Sequence, residues 1–373
     1  MKILVTGRGF DGPGAHALGI FELDQAKALQ RYGHEVRFAA IDTRSPRRRR
    51  PLGVHQYRLE GIPVTYGAVP SGSRPELLSR LAQEHSAAMI WKRLQKDGWR
   101  PDVIHSHFGA GFLPLAKREG VPAVYTEHYS GTAVDDPSEA ELARERRTYA
   151  LACRLICVSD QLARQVRRHT GTESLVIHNV VDMDIFTPPD SPRTPDGAFR
   201  FAATGNLIRR KGFDLLLTAM AKLRSGGENV FLTVIGDGEE REKLTQTAAA
   251  LGIRDRVEFT GRLTRQEMIP VYRGADAFVL PSRMETFGVV YIEAMAAGLP
   301  VIATVCGGPE DFVTAETGLL IEKENADALA DAMAEMIRRR KEFDPAAVAR
   351  YARENFSPAV IAEKLTAVYK ELI

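Results

Sequence analysis

Short apolar runs rich in β-branched residues alternate with longer helical patterns along most of this chain. Strands that alternate with helices build βαβ units on a parallel sheet, so the predicted class is α/β. In the first half the predicted strands are Lys2–Thr6, Glu35–Ala40, Pro63–Tyr66, Val103–Ser106, Ala123–Glu127, Arg154–Ser159 and Leu175–His178. In the second half they are Phe201–Thr204, Val230–Ile235, Val257–Thr260, Ala277–Pro281 and Val301–Thr304.

A proline-rich segment separates the two series of strands. Residues 187–199, TPPDSPRTPDGAF, hold four prolines and a glycine, and such a segment can continue neither a helix nor a strand. A chain of 373 residues is long enough for two domains. We predict a first domain over 1–186, a second over 187–357 and a final helical segment over 358–373.

Composition excludes several classes of protein. Fifty Lys and Arg against 48 Asp and Glu leave a net charge of +2, which argues against a dedicated nucleic-acid binder. The spacing of Cys153, Cys157 and Cys306 fits neither a disulfide framework nor a zinc site. No run approaches the roughly 18 apolar residues of a membrane span, so we expect a cytoplasmic protein.

One charge run leaves two interpretations open. Arg47–Arg50 lie in a proline-flanked loop, RSPRRRRP. Such a run is either a solvated loop or a patch that contacts anionic lipid or a phosphorylated acceptor at the inner membrane face.

The densest motif is PSRMETFGVVYIEAMAAGLPVIAT, residues 281–304, in which a strand ends and a helix runs from about Gly288 to Ala297. The backbone N–H groups of Phe287, Gly288 and Val289 at the start of this helix suit a phosphate. A second loop at the end of a strand, GNLIRRKGF, begins at Gly205 and holds three cations, Arg209, Arg210 and Lys211. Two phosphate-suited loops in one domain favour a diphosphate ligand; the alternative for the second loop is a solvated basic cluster.

Two carboxylates of the first motif lie eight residues apart across the loop–helix junction and do not point at each other. We expect Glu293 to accept from ribose hydroxyls and Glu285 to bind a sugar hydroxyl near the phosphate. The alternative is an acid favoured by the helix dipole and an exposed helix acid.

The second half resembles the nucleotide-sugar-binding domain of the retaining glycosyltransferases of family 4, which have the GT-B architecture of two Rossmann-like domains facing across a cleft. The motifs that carry the resemblance are Gly205 with Lys211-Gly212, VIGDGEER (234–241), VEFTGRL (257–263), the run from Ala275 to Ser282, Glu285 with Glu293, and AAGLPVIAT. The first half resembles the family more loosely, in GIFELDQAKALQRYGHEV (19–36), PDVIHSHF (101–108), AVYTEH (123–128), ICVSD (156–160) and VIHNVVD (176–182).

The resemblance implies roles for individual residues. Lys211 would hold the donor diphosphate, Glu293 the ribose, and Glu285 the transferred sugar, while His128 would contact that sugar beside the scissile bond. The amides of Phe287, Gly288 and Val289 would bind donor phosphate or sugar, and Gly261, Arg262 and Leu263 would form the loop on the base. The resemblance also implies that the final helix crosses back to the first domain, which would hold the acceptor.

The chain departs from the family pattern at two places. Asn206 stands where the family has an arginine after Gly205, and we expect Arg210, with Arg209 as the alternative, to replace that cation. The N-terminal glycine pair is missing, and Gly19 is the nearest substitute. His105 and His107, at the end of another strand, are expected to organise loops on the acceptor side.

The resemblance implies a retaining glycosyltransferase that moves a sugar from a nucleotide diphosphate sugar to an acceptor hydroxyl that is free or lipid-linked. A UDP-sugar is the favoured donor. We expect no metal or other cofactor, because cations and helix amides can stabilise the leaving diphosphate and the one DxD spacing, Asp182 with Asp184, lies near the linker. The alternatives are a nucleotide-sugar epimerase, a sugar-phosphate synthase, or a nucleotide-sugar binding protein without turnover.

Overall fold

The computed structural model describes residues 1–8, 20–43, 52–71, 76–107, 110–128, 137–189 and 197–373. The chain forms two compact units, of which the first combines 1–180 with 358–373 and the second spans 181–357. The division therefore falls slightly before residue 187. Part of the proline-rich segment, residues 190–196, lies outside the described residues.

The first unit is built on a sheet whose strands follow the order β3, β4, β2, β1, β5, β6, β7, β8. All neighbours are parallel except β3 and β4, which pair antiparallel. The elements are β1 (Lys2–Arg8), α1 (Ile20–Arg31), β2 (Glu35–Asp42), β3 (Gly53–Leu59), β4 (Ile62–Ala68), α2 (Glu76–Lys96), β5 (Val103–His107), α3 (Leu113–Glu119), β6 (Ala123–Glu127), α4 (Glu139–Tyr149), β7 (Arg154–Cys157), α5 (Asp160–Thr170) and β8 (Leu175–Val176).

The second unit carries a parallel sheet in the order β11, β10, β9, β12, β13, β14. Strand order reverses between β9 and β12, and in such sheets ligands bind outside the carboxyl ends of the strands at the reversal. The elements are β9 (Phe199–Thr204), α6 (Phe213–Ser225), β10 (Val230–Ile235), α7 (Arg241–Ala250), β11 (Val257–Gly261), α8 (Arg265–Gly274), β12 (Ala277–Leu280), α9 (Val289–Ala296), β13 (Val301–Thr304), β14 (Gly318–Ile321), α10 (Ala326–Arg338) and α11 (Pro345–Phe356).

The last helix, α12 (Pro358–Lys370), belongs to the first unit. Its apolar face, with Ile361, Leu365 and Val368, lies in the same buried cluster as β1, β2 and α1. Tyr369 on the same face is fully buried and brings a hydroxyl to β5. The chain end thus completes the core of the domain in which the chain begins.

The predicted class of two Rossmann-like α/β domains is confirmed. Two strands are absent from the prediction. β3 is a partly exposed edge strand with polar residues, so it lacks the apolar run that marks a buried strand. β14 has only four residues and is an edge strand of the second sheet. In the described ranges, no helix combines the length and the apolar character needed to span a bilayer.

Candidate functional site

The second unit brings Lys211 and Glu285 together at the strand reversal. Lys211 follows β9 and Glu285 follows the neighbouring strand β12, so the two loops emerge side by side. The Lys211 ammonium donates to Glu285 Oε1 at 2.5 Å. Both side chains are largely buried, with exposed fractions of 14% and 9%. The pair therefore places one positive and one negative group at the position where ligands of this fold bind.

The close approach of the two loops depends on Gly212. Its φ of +71° lies in the left-handed region, and a Cβ there would collide with the carbonyl oxygen of Pro281 at the end of β12. No other residue type fits this position without moving the loops apart.

Arg283 joins the same two loops from the other side. Its guanidinium donates to both carboxylate oxygens of Asp214 at 2.8 Å and to the Arg209 carbonyl. The backbone N–H of Arg283 donates to the Arg210 carbonyl at 2.8 Å. Burial raises the pKa of Asp214, but the hydrogen bonds and charge of Arg283, together with backbone N–H groups, lower it below its usual value. The basic loop is thus held by an arginine that the sequence analysis does not single out.

Glu285 is held by three groups besides its place in the loop. Ser282 Oγ donates to Glu285 Oε1 at 2.8 Å, so this oxygen accepts from both a hydroxyl and the Lys211 ammonium. The Glu285 N–H donates to the Cys306 carbonyl at 3.2 Å. Burial, and then the charge of Glu285, raise the pKa of Tyr291, while burial raises that of the Cys306 thiol to about 12. The carboxylate therefore has one cationic partner, Lys211, and two neighbours that stay neutral, Tyr291 and Cys306.

The start of α9 presents backbone rather than side chains. The Phe287 ring is 1% exposed and packs edge-on against Phe312 and Phe356, so it belongs to the core and only its backbone can serve a ligand. Gly288 is the N-cap residue, with a φ of +97°, and Val289 opens the helix with a buried side chain. The free N–H groups of this first turn suit an anion.

Glu293, in the second turn of α9, pairs with Arg265 at the start of α8. Arg265 donates to Glu293 Oε1 through Nε at 3.1 Å, and its terminal nitrogen lies 3.0 Å from the same oxygen. Both side chains are mostly buried. Burial, and then the charge of Glu293, raise the pKa of the nearby Tyr272. The two carboxylates of the motif therefore have separate cationic partners, Lys211 and Arg265.

The other residues that are predicted to bind the nucleotide-sugar donor lie at the same edge of the sheet. The Lys211 side chain passes over Gly205, where a Cβ would lie 3.6 Å from its methylenes. Gly261 ends β11, and its carbonyl accepts from Gly236 N–H at 2.8 Å. The side chains of Asn206, Arg210 and Arg262 are exposed, and that of Leu263 is half-buried.

The first unit gathers the three predicted histidines into one cluster. His107 ends β5 and His128 follows β6, and His107 Nδ1 lies 2.8 Å from His128 Nε2. The ring of Phe21, on α1, stacks on His128 with centroids 6.2 Å apart. His105 stacks on His107 at 4.5 Å.

Both nitrogens of His105 and both of His107 are engaged with protein groups, and the two rings are 0% and 1% exposed. Because both rings are buried, neither can contact a glycosyl acceptor directly in this arrangement. Their predicted place on the acceptor side stays a prediction. Gly19, the predicted substitute for the missing glycine pair, lies outside the described residues.

The DxD spacing has a structural explanation. Asp182 is buried, and its Oδ1 accepts from Asp184 N–H at 3.1 Å, while its carbonyl accepts from the N–H groups of Ile185 and Phe186. These contacts close a turn. Among the described residues, no group of three or more His, Cys, Asp or Glu side chains could hold a metal ion.

Four residues with clear roles are absent from the sequence predictions: Ser282, Arg283, Arg265 and Gln25. Ser282 could have been found, because it lies three residues before Glu285 at the end of the same strand. The partners of the other three are 28 to 82 residues distant along the chain. Only the fold reveals those contacts.

Two Rossmann-like domains with these clusters at the carboxyl edges of their sheets define a glycosyltransferase of the GT-B architecture. The family model described as Glycosyl transferases group 1 matches residues 187–355, and that of Glycosyltransferase Family 4 matches 21–185. The chain belongs to glycosyltransferase family 4.

Curated relatives agree with this assignment. The D-inositol 3-phosphate glycosyltransferase 1 of Catenulispora acidiphila is 30% identical over 97% of this chain and 92% of that protein. The D-inositol 3-phosphate glycosyltransferase of Mycolicibacterium smegmatis is 33% identical over 72% of this chain and 67% of that protein.

Solved structures support the fold. Sucrose-phosphate synthase from Thermosynechococcus elongatus superposes with a TM-score of 0.81 at 22% identity and covers 100% of this chain and 98% of its own. Anabaena Alr3699/HepE in complex with UDP and glucose superposes with a TM-score of 0.75 at 20% identity, with full coverage of both chains.

The conformation of Gly288 yields a stability prediction. A Cβ at Gly288 would lie 2.7 Å from a ring carbon of the fully buried Tyr291, whereas Gly252, also at positive φ, has open space around it. We expect Gly252→Ala to lower the free energy of unfolding by about 1 kcal/mol, the cost of left-handed backbone. Gly288→Ala should cost roughly 1–3 kcal/mol more, because the ring must shift. Urea unfolding followed by circular dichroism measures both, and equal losses would contradict the steric argument.

Proposed function

We propose that this protein transfers a glycosyl group from a nucleoside diphosphate sugar to an acceptor hydroxyl, with retention at the anomeric carbon. The observation that carries the proposal is the buried pair of Lys211 and Glu285 at the strand reversal of the second unit. A diphosphate matches the lysine and the amides of α9, and sugar hydroxyls match the carboxylate. One cation, one acid and one helix start therefore fit the two halves of such a donor.

The donor and acceptor are proposed from both chemistry and kinship. The Anabaena protein was solved with UDP and glucose, which supports a UDP-sugar as the donor. Relatives named D-inositol 3-phosphate glycosyltransferases make D-inositol 3-phosphate the first acceptor to test. Glu293 is proposed to accept from the ribose hydroxyls, and the loop Gly261–Leu263 to contact the base. Hexosyl transfer, in the cytoplasm or at the inner membrane face, belongs to the same proposal.

The proposed mechanism needs no protein nucleophile. The acceptor oxygen forms its bond to the anomeric carbon on the face from which the diphosphate departs, and the acceptor proton passes to the departing phosphate oxygen. Lys211, Arg210 and the amides of Gly288 and Val289 would stabilise the charge that grows on the diphosphate. His128, in the first unit, is proposed to donate a hydrogen bond to the transferred sugar.

Turnover separates this proposal from its alternatives. Release of UDP and formation of a glycoside from UDP-glucose and D-inositol 3-phosphate would support transfer. UDP binding without release of product would indicate a binding protein, and a changed sugar still attached to UDP would indicate an epimerase. UDP-N-acetylglucosamine and GDP-mannose in parallel assays define the sugar and the base.

The first prediction of the proposed function concerns Lys211. Lys211→Ala removes a cation whose contact strengthens as the leaving group gains charge, so kcat should fall about 100-fold or more. Donor affinity should fall less. Lys222→Ala, which removes a lysine of the same domain that pairs with Asp327 on the surface, is the matched control and should leave turnover unchanged. Steady-state release of UDP measures both, and a Lys211→Ala loss within about threefold would reject the diphosphate role.

The second prediction concerns Glu293. Glu293→Gln replaces a carboxylate acceptor by a weaker amide acceptor and removes the charge partner of Arg265. The affinity for free UDP should fall by roughly 1–3 kcal/mol, measured by titration calorimetry. The exposed Glu242→Gln serves as the control for a lost charge in the same domain. An unchanged affinity in the Glu293 variant would remove the ribose assignment.

The third prediction concerns metal ions. Since Lys211, Arg210 and the helix amides are proposed to stabilise the leaving group, transfer should survive EDTA. The assay compares initial rates with EDTA alone and after addition of excess Mg²⁺ or Mn²⁺. Loss of activity in EDTA that is restored by either metal would show that the proposed mechanism is incomplete.

A further inference from the structure

The histidine cluster of the first unit is organised by one amide. Gln25, on α1, is 8% exposed, and its Nε2 lies 2.9 Å from His105 Nδ1 and 3.1 Å from His107 Nε2. An amide nitrogen carries two hydrogens and no acceptor site, so it donates to both rings. Both of the contacted imidazole nitrogens must therefore be unprotonated.

The other contacts of His105 are with hydroxyl groups, which can donate or accept and so are compatible with this hydrogen-bond direction. With Nδ1 unprotonated, the Tyr369 hydroxyl, 2.5 Å away, donates to this nitrogen. The His105 proton then lies on Nε2, where Thr126 Oγ1 accepts it at 2.6 Å. Burial lowers the pKa of His105 to about 3, so this ring stays neutral at ordinary pH.

The same hydrogen-bond direction continues from His107 to His128. A neutral His107 that accepts at Nε2 carries its proton on Nδ1. Nδ1 lies 2.8 Å from His128 Nε2 and donates to it. A neutral His128 that accepts at Nε2 then has its proton on Nδ1.

We propose that Gln25 and His107 are positioning residues that fix His128 in the Nδ1–H tautomer, so that its Nδ1 edge is the donor side of the ring. The consequence for function rests on the proposed glycosyl transfer, in which His128 donates to a hydroxyl of the transferred sugar. The ring tautomer itself is a property of the protein and can be measured without any substrate.

Three alternatives differ from this arrangement. In a metal site, His107 Nδ1 and His128 Nε2 would both bind an ion. The described residues contain no group of three or more side chains that could hold one. A purely apolar packing role would be met by any side chain of similar size. The opposite polarity, with the Gln25 carbonyl between the rings, requires protons on His105 Nδ1, His107 Nε2 and His128 Nε2.

Nitrogen NMR of the full-length protein with ¹⁵N-labelled histidine distinguishes these arrangements at neutral pH. We expect a proton on Nε2 of His105 and on Nδ1 of both His107 and His128. Loss of signals in His107 and His128 variants assigns the rings. A protonated Nε2 on His107 together with a protonated Nε2 on His128 would overturn the proposal.

A pair of substitutions tests the consequence for turnover. In His107→Asn the amide nitrogen takes about the place of Nδ1 and can still donate to His128, whereas in His107→Gln it takes the place of Nε2 and cannot. We expect turnover of His107→Asn to stay within about threefold and that of His107→Gln to fall about tenfold, the effect of one lost hydrogen bond. The His128 tautomer should persist in the first variant and change in the second.

His55→Gln is the control, because this histidine of β3 is exposed, hydrogen-bonds to the Leu52 carbonyl and lies outside the cluster. Equal turnover and equal His128 tautomers in the two His107 variants would reject the proposal. If either variant fails to fold, the spectrum of the unsubstituted protein still decides the tautomer. Failure of that protein to transfer any sugar would refute the proposed function and leave the tautomer result standing.

Discussion

The ion pair between Lys211 and Glu285 depends on a reversal of strand order. Because β9 and β12 are neighbours although two βα units lie between them, the loops that follow these strands emerge side by side. Gly212 lets the loops touch, and Arg283 ties them through Asp214 and two carbonyls. A flexible cation on an isolated loop would lose rotamer entropy on binding a ligand, whereas this lysine is already held in place.

Burial has opposite consequences in the two clusters. In the second unit, charged groups stay buried because each has a partner of opposite charge, Lys211 for Glu285 and Arg265 for Glu293. In the first unit, burial lowers the pKa of His105 to about 3, so this ring stays neutral. A neutral imidazole has one donor and one acceptor, so the direction of a single amide, that of Gln25, propagates through the cluster.

Both sheets reverse their strand order, but the side chains at their carboxyl edges differ in chemistry. In the first unit the histidines lie at the carboxyl ends of β5 and β6, and in the second unit Lys211 and Glu285 follow β9 and β12. The second unit presents cations and helix amides, which suit an anionic ligand. The first holds imidazole rings, with Phe21 stacked on His128, and these rings can donate and accept hydrogen bonds. The proposed function accordingly assigns the diphosphate to the second unit.

The amino-acid sequence determined the α/β class, the two domains and the loops that carry Lys211, Glu285, Glu293 and the histidines, because these follow from local periodicity and from motifs within short segments. It missed the edge strands β3 and β14, which lack a long apolar run. The tertiary structure alone decided the partners. Arg265, Arg283 and Gln25 contact residues 28 to 82 positions away, and no local pattern encodes such a contact. Long-range pairing is set by strand order, which places distant loops at one edge of a sheet and turns separate side chains into a site.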